Sequence, residues 1–77
     1  MPLITELQVH YRLKDDSGEV IAFPPAHQET VAIKLEIGRV VHELRQRGDV
    51  QYYYVVVKVR KSDGTAGFRT IIPKTLI

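Results

Sequence analysis

The run from Val50 to Lys61 constrains this chain more than any other stretch, because eight of its twelve residues are valine or tyrosine and it is broken by neither glycine nor proline. It reads as a long strand. Tyr53, Val55, Val57 and Val59 fall on one face and Tyr52, Tyr54, Val56, Lys58 and Arg60 on the other. The first of these faces is apolar along its length, so the rest of the chain must supply neighbouring strands and a cover for it.

Ser62-Asp63-Gly64-Thr65 follows with a turn signal, and Phe68 to Ile72 reads as the returning strand, ended by Pro73. With Asp63-Gly64 as a two-residue loop, Val59 would face Phe68, Val57 would face Thr70 and Val55 would face Ile72. The opposite face would then set Lys58 against Arg69, a like-charge pair relieved only by something anionic lying between them.

Upstream, Leu7, Val9, Tyr11 and Leu13 alternate with Gln8, His10, Arg12 and Lys14, the pattern of a half-buried strand. Asp15-Asp16-Ser17-Gly18 suits a turn, and Glu19 to Phe23 returns with Ile21 and Phe23 toward the core if the loop has three residues. Pro24-Pro25 closes this hairpin, and Pro25 is suited to the first position of a helix. From Ala26 to Arg47, Ile33, Ile37, Val40, Val41 and Leu44 recur at helical spacing, with Glu29 near the start, Arg45 and Arg47 in the last turn and Gly48 as the stop.

The segment also supports another reading, since Val31, Ile33, Leu35 and Ile37 alternate as a third strand would. That order, βββαββ, suggests a small Greek-key barrel of the OB type. The helical stripe is preferred because it continues unbroken to its C-terminal signal. The expectation is an α+β domain over residues 1–77: two antiparallel hairpins in one four-stranded sheet, ββαββ, with a single helix on one face.

Composition narrows the function classes. No cysteine is present, which excludes thiolate metal sites, disulfides and cysteine nucleophiles and favours a reducing, cytoplasmic setting. The three histidines, His10, His27 and His42, lack the spacing of a helical metal site, and Ser17 and Ser62 are turn residues. Gly64-Thr65-Ala66-Gly67 lacks the lysine and the strand-to-helix context of a phosphate loop. Neither an export signal nor a membrane span is read from the chain, because no apolar run approaches the roughly 18–20 residues a bilayer requires. The expectation is a non-enzyme without cofactor or metal.

The outward sheet face is the distinctive feature. Arg12, Lys14, Tyr52, Tyr54, Val56, Lys58, Arg60 and Arg69 would share it, combining tyrosines and cations, the composition of a binding surface. A protein partner, including a second copy in a homodimer, is the first reading, because a net charge of +2 does not call for a polyanion. Single-stranded nucleic acid is the second, since tyrosines can stack bases while Lys and Arg neutralise phosphates. The third is a structural subunit that adds an edge strand to a neighbour's sheet through Ile71 to Ile77.

Overall fold

The strand read from Leu7 extends back to Leu3 in the computed structural model, which describes residues 3–77, with an irregularity between Ile4 and Glu6 that turns Ile4 toward the core. Strand β1 is Leu3–Leu13 and β2 is Gly18–Phe23, followed by helix α1, Thr30–Arg47, and by β3, Val50–Arg60, and β4, Ala66–Leu76. All strand pairs are antiparallel and the sheet order is β2-β1-β3-β4, so the fold is the α+β arrangement ββαββ, with no barrel closure.

The two central strands are the two most strongly patterned in the sequence. Leu7 pairs with Val57, Val9 with Val55 and Tyr11 with Tyr53, which brings their apolar faces into one surface. Ile33, Ile37, Val41 and Leu44 of α1 lie over that surface, and all these side chains are buried. Ile21 stands opposite Val9 and Phe23 opposite Leu7, packed against the core as the three-residue loop required.

Residues 30–37 are helical, and the exposure of Val31 and Leu35, at 72% and 66%, shows which periodicity prevailed. A strand would have turned both inward with Ile33 and Ile37. The helix turns them out, because only the spacing of three and four collects Ile33, Ile37, Val41 and Leu44 on one stripe. Gly48, at φ +77°, ends it in the left-handed conformation that glycine adopts without steric cost.

The start of the helix differs from expectation. It begins at Thr30, with Glu29 as an uncapped N-cap residue, and Pro25 is not its first residue. Side chains hold the connecting segment out of the helix. Gln28 receives the Ile4 amide on Oε1 (3.0 Å) and donates Nε2 to the Ile4 carbonyl (2.9 Å), while the Ala26 amide donates to Glu36 Oε1 (3.0 Å). These bonds satisfy backbone groups that would otherwise favour helix or water.

The second hairpin also differs. Its loop has three residues, Ser62-Asp63-Gly64, closed by Lys61 N to Thr65 O (2.8 Å), with Gly64 at φ +90°. Asp63 Oδ1 accepts from the amide and the hydroxyl of Thr65 at 3.0 and 2.7 Å. The additional residue shifts the pairing by one, so Lys58 faces Phe68 and Val57 faces Arg69. A register shift between Val55 and Val56 then restores the expected pairing of Val55 with Ile72. Strand β4 does not stop at Pro73 but continues to Leu76, since an edge strand at a second irregularity tolerates a residue without an N–H. No helix among the described residues is long and apolar enough to cross a membrane.

Candidate functional site

One helix covers only one face of the sheet, so the even-numbered side chains of β3 from Tyr52 to Arg60 have nothing packed above them among the described residues. Tyr52, Tyr54, Val56, Lys58 and Arg60 lie along that open face, and β1 contributes Arg12, His10, Gln8 and Glu6 directly opposite Tyr52, Tyr54, Val56 and Lys58. Six of the eight sequence-predicted residues are therefore brought together. Lys14 and Arg69 are not. Strand β1 ends at Leu13, and Lys14 sits in the turn, where its amide donates to the Asp49 carbonyl (2.8 Å). Arg69 is carried to the helix side by the register of the three-residue loop, so the expected Lys58–Arg69 pair does not form.

The same register brings other residues onto the open face. Phe68 stands opposite Lys58, Leu76 opposite Tyr52, and on the far side Val20 opposite His10. Phe68 is 66% exposed and Leu76 75% exposed, and Val20 and Leu3 are exposed as well. Lys74 also reaches this face, with its ammonium 4.3 Å from the centre of the Tyr52 ring, while the Arg12 guanidinium lies 5.9 Å from the same centre. Because β1 and β4 flank β3 on opposite sides, Tyr52 stands between two cations.

The tyrosine rings stand upright. His10 and Tyr54, paired on adjacent strands, have ring centroids 4.8 Å apart and planes 3° apart. Two rings lying flat on the sheet could not approach so closely side by side; at this separation they overlap face to face, with their edges toward solvent. The ring faces are thus used between neighbours. Below them Gln8 donates to Glu6 Oε1 (2.7 Å) and accepts from His10 Nε2 (2.9 Å), a polar chain along β1. Gly18, opposite Arg12, leaves a hollow of about 260 Å³ beside His10, Arg12, Val20 and Tyr52.

The helix side carries a polar network that joins three elements. Tyr11 donates its hydroxyl to Glu19 Oε2 (2.5 Å) and accepts from Arg47 Nη1 (3.1 Å), and Arg47 in turn grips Asp49 through two bonds of 3.1 Å. The bond to Glu19, followed by burial, holds the Tyr11 phenol above its ordinary pKa. The bonds to Asp49 and to Tyr11 likewise raise that of Arg47. This network ties β1, β2 and the end of α1 together, and its Tyr11 and Glu19 also border the hollow beside Gly18. Among the described residues, no group of three His, Cys, Asp or Glu is placed to hold a metal ion.

Sequence reasoning missed Phe68, Lys74, Leu76, Val20 and Leu3. The signal for Phe68 was present, since Ser-Asp-Gly suits a three-residue loop with glycine left-handed as well as it suits a two-residue turn. Comparison with family models, with curated proteins and with solved structures gives no match to this chain.

Proposed function

We propose that the chain is a non-enzymatic binding module that engages a protein partner through its open sheet face. The observation that carries this is the exposed set Phe68, Leu76, Val20 and Leu3, placed around Tyr52, Tyr54 and Val56 on a face that no other element among the described residues covers. Contiguous apolar surface rimmed by charge is the signature of an interaction site.

Charge speaks to the kind of partner. Arg12, Lys58, Arg60 and Lys74 occupy this face, with Glu6 beside Lys58 and Glu19 at its margin, so cations outnumber acids. A second copy packed face to face would bring like charges together, which disfavours self-association and favours a partner carrying carboxylates. The four strands and the five outward positions of β3 span a plane on the order of 500 Å², below the roughly 800 Å² per partner of a standard interface. Such a complex is of the transient kind.

Single-stranded nucleic acid is the second reading, favoured by the same four cations. Base recognition on a sheet uses ring faces as platforms, however, and here the ring faces are occupied by His10, Arg12 and Lys74. The edge-strand subunit reading is weakened by Pro73, which removes a donor from β4.

The test places a photo-crosslinking residue at position 68 or, as a control on the helix surface, at position 35, in cells. A discrete protein adduct at 68 and none at 35, lost on Lys58→Glu with Arg60→Glu, supports the reading. Binding of a thymidine oligonucleotide that falls steeply with salt, with no adduct at 68, would replace it with the nucleic-acid reading.

A further inference from the structure

A groove lies between α1 and β4, on the side of the sheet opposite the proposed interface. One helix crosses the central strands and leaves the helix-side surface of β4 uncovered. A hollow of about 390 Å³ results, with Val57 and Val59 as its floor and Ile33 and Ile71 on opposite walls. It adjoins a second of about 320 Å³ that shares Lys34, Ile37 and Ile72 with the first and extends along α1 toward Arg45.

Three features point to a ligand. None of the residues lining either hollow is acidic, yet Lys34 from the helix and Arg69 from β4 line the larger one from opposite sides. The two ion pairs among the described residues are His27–Glu29 and Arg47–Asp49, so neither Lys34 nor Arg69 is neutralised by a carboxylate. Gly38, in mid-helix, borders the second hollow, and a Cβ built there would meet nothing within 4 Å. Glycine costs stability in a helix, and no close contact requires it here; its effect is to keep the groove wall open.

We infer that this groove binds an alkyl carboxylate, its chain along the aliphatic floor and its carboxylate between Lys34 and Arg69. Charge complementarity selects the anion, since apolar surface with two unpaired cations at its margin fits a molecule that is apolar along its length and anionic at one end. The interrupted edge selects an alkyl chain over a peptide. A peptide must satisfy its own backbone, and the β4 edge beside the groove presents Pro73 and the irregular register around Ile72, not a continuous ladder.

The experiment is an amide NMR titration of the full chain with hexanoate, octanoate, decanoate and decanol, alongside light scattering. Carboxylates should give saturable shifts at Ile33, Lys34, Ile37, Arg69 and Ile72, with affinity rising about fourfold for each added methylene until the first hollow is filled. Decanol should bind at least tenfold more weakly than decanoate. Lys34→Gln with Arg69→Gln should remove that preference while leaving decanol binding unchanged, and Gly38→Leu should shorten the chain length at which affinity levels off. Equal binding of decanol and decanoate, shifts spread over Tyr52, Tyr54 and Phe68, or groove shifts that track formation of a dimer would each overturn the inference. The alcohol comparison uses the unaltered chain, so the test does not depend on a variant folding. Failure here leaves the open-face reading untouched, because the two surfaces share no residue.

Discussion

Two glycines ten positions apart on the same helix should respond with opposite signs to the same substitution. Gly38 lies inside α1 at a negative φ, exposed, with open space where a Cβ would be, so Gly38→Ala adds a methyl group that neither clashes nor packs. What remains is backbone entropy, which favours alanine by about 0.5–1 kcal/mol in a helix interior. In a domain of this size that is a rise of about 2–8 °C in Tm. Gly48 also has open space around it, but its φ is +77°. There alanine meets the left-handed penalty of about 1–2 kcal/mol, only partly offset by the reduced freedom of the unfolded chain, for a net loss of about 1 kcal/mol. Urea unfolding followed by circular dichroism measures both. The midpoint should rise for Gly38→Ala and fall for Gly48→Ala, with the slope unchanged in each. A fall for Gly38→Ala would mean that the wall at position 38 is closed and would refute both the helix argument and the open groove.

Three further outcomes follow from particular contacts. Tyr11→Phe keeps the buried ring and loses the bonds to Glu19 and Arg47, so it should destabilise by about 1 kcal/mol. Because the folded pKa of Tyr11 is raised, its contribution is present below the ordinary value near 10 and is lost as pH rises through the folded value; the alkaline fall in stability should therefore be shallower in Tyr11→Phe than in the unaltered chain. Asp63 has its pKa lowered by the hydroxyl and amide of Thr65, so its contribution is present above the ordinary carboxylate value and lost as pH falls through the depressed one; Asp63→Ala should flatten that acid limb in a pH series of thermal melts. Leu44→Ala, at a site 2% exposed, should cost about 2–5 kcal/mol, whereas Leu35→Ala on the outer face should change the denaturation midpoint by less than about 0.5 kcal/mol equivalent.

How much of the fold was legible depends on how many independent signals each element carried. Strand β3 had alternation, β-branching and turn residues at both ends, and its inward and outward faces fell where the pattern placed them. The end of α1 had a cationic last turn and a glycine that only a left-handed cap explains. Its start was not legible, because what excludes residues 26–29 from the helix is Gln28 reaching Ile4 and Glu36 reaching Ala26, contacts made across the fold. Pro73 misled for a related reason. A proline ends a central strand but not an edge one, and a strand's place in the sheet is not written in its own residues.

The candidate face shows how one residue of loop length decides a functional argument. Side chains alternate across a sheet with a period of two, so moving the β3–β4 pairing by one exchanges every residue of β4 near the turn between faces. With a two-residue loop, Arg69 joins Lys58 on the open side and the face looks like a track for phosphates. With the three-residue loop closed by Gly64, Phe68 takes that place and Arg69 passes beneath, opposite Val57. The open face thereby gains an exposed aromatic ring, and the groove gains the cation that turns an aliphatic hollow into a site with a charge requirement. Both readings therefore rest on Gly64. Deleting one loop residue and stabilising a two-residue turn should return Arg69 to the open side, abolish the preference of the groove for decanoate over decanol, and strengthen oligonucleotide binding at low salt. A variant that folded with the shifted register, as amide-to-amide NOEs across the hairpin would show, and yet kept its carboxylate preference would mean that Lys34 alone holds the anion and that Arg69 has no part in it.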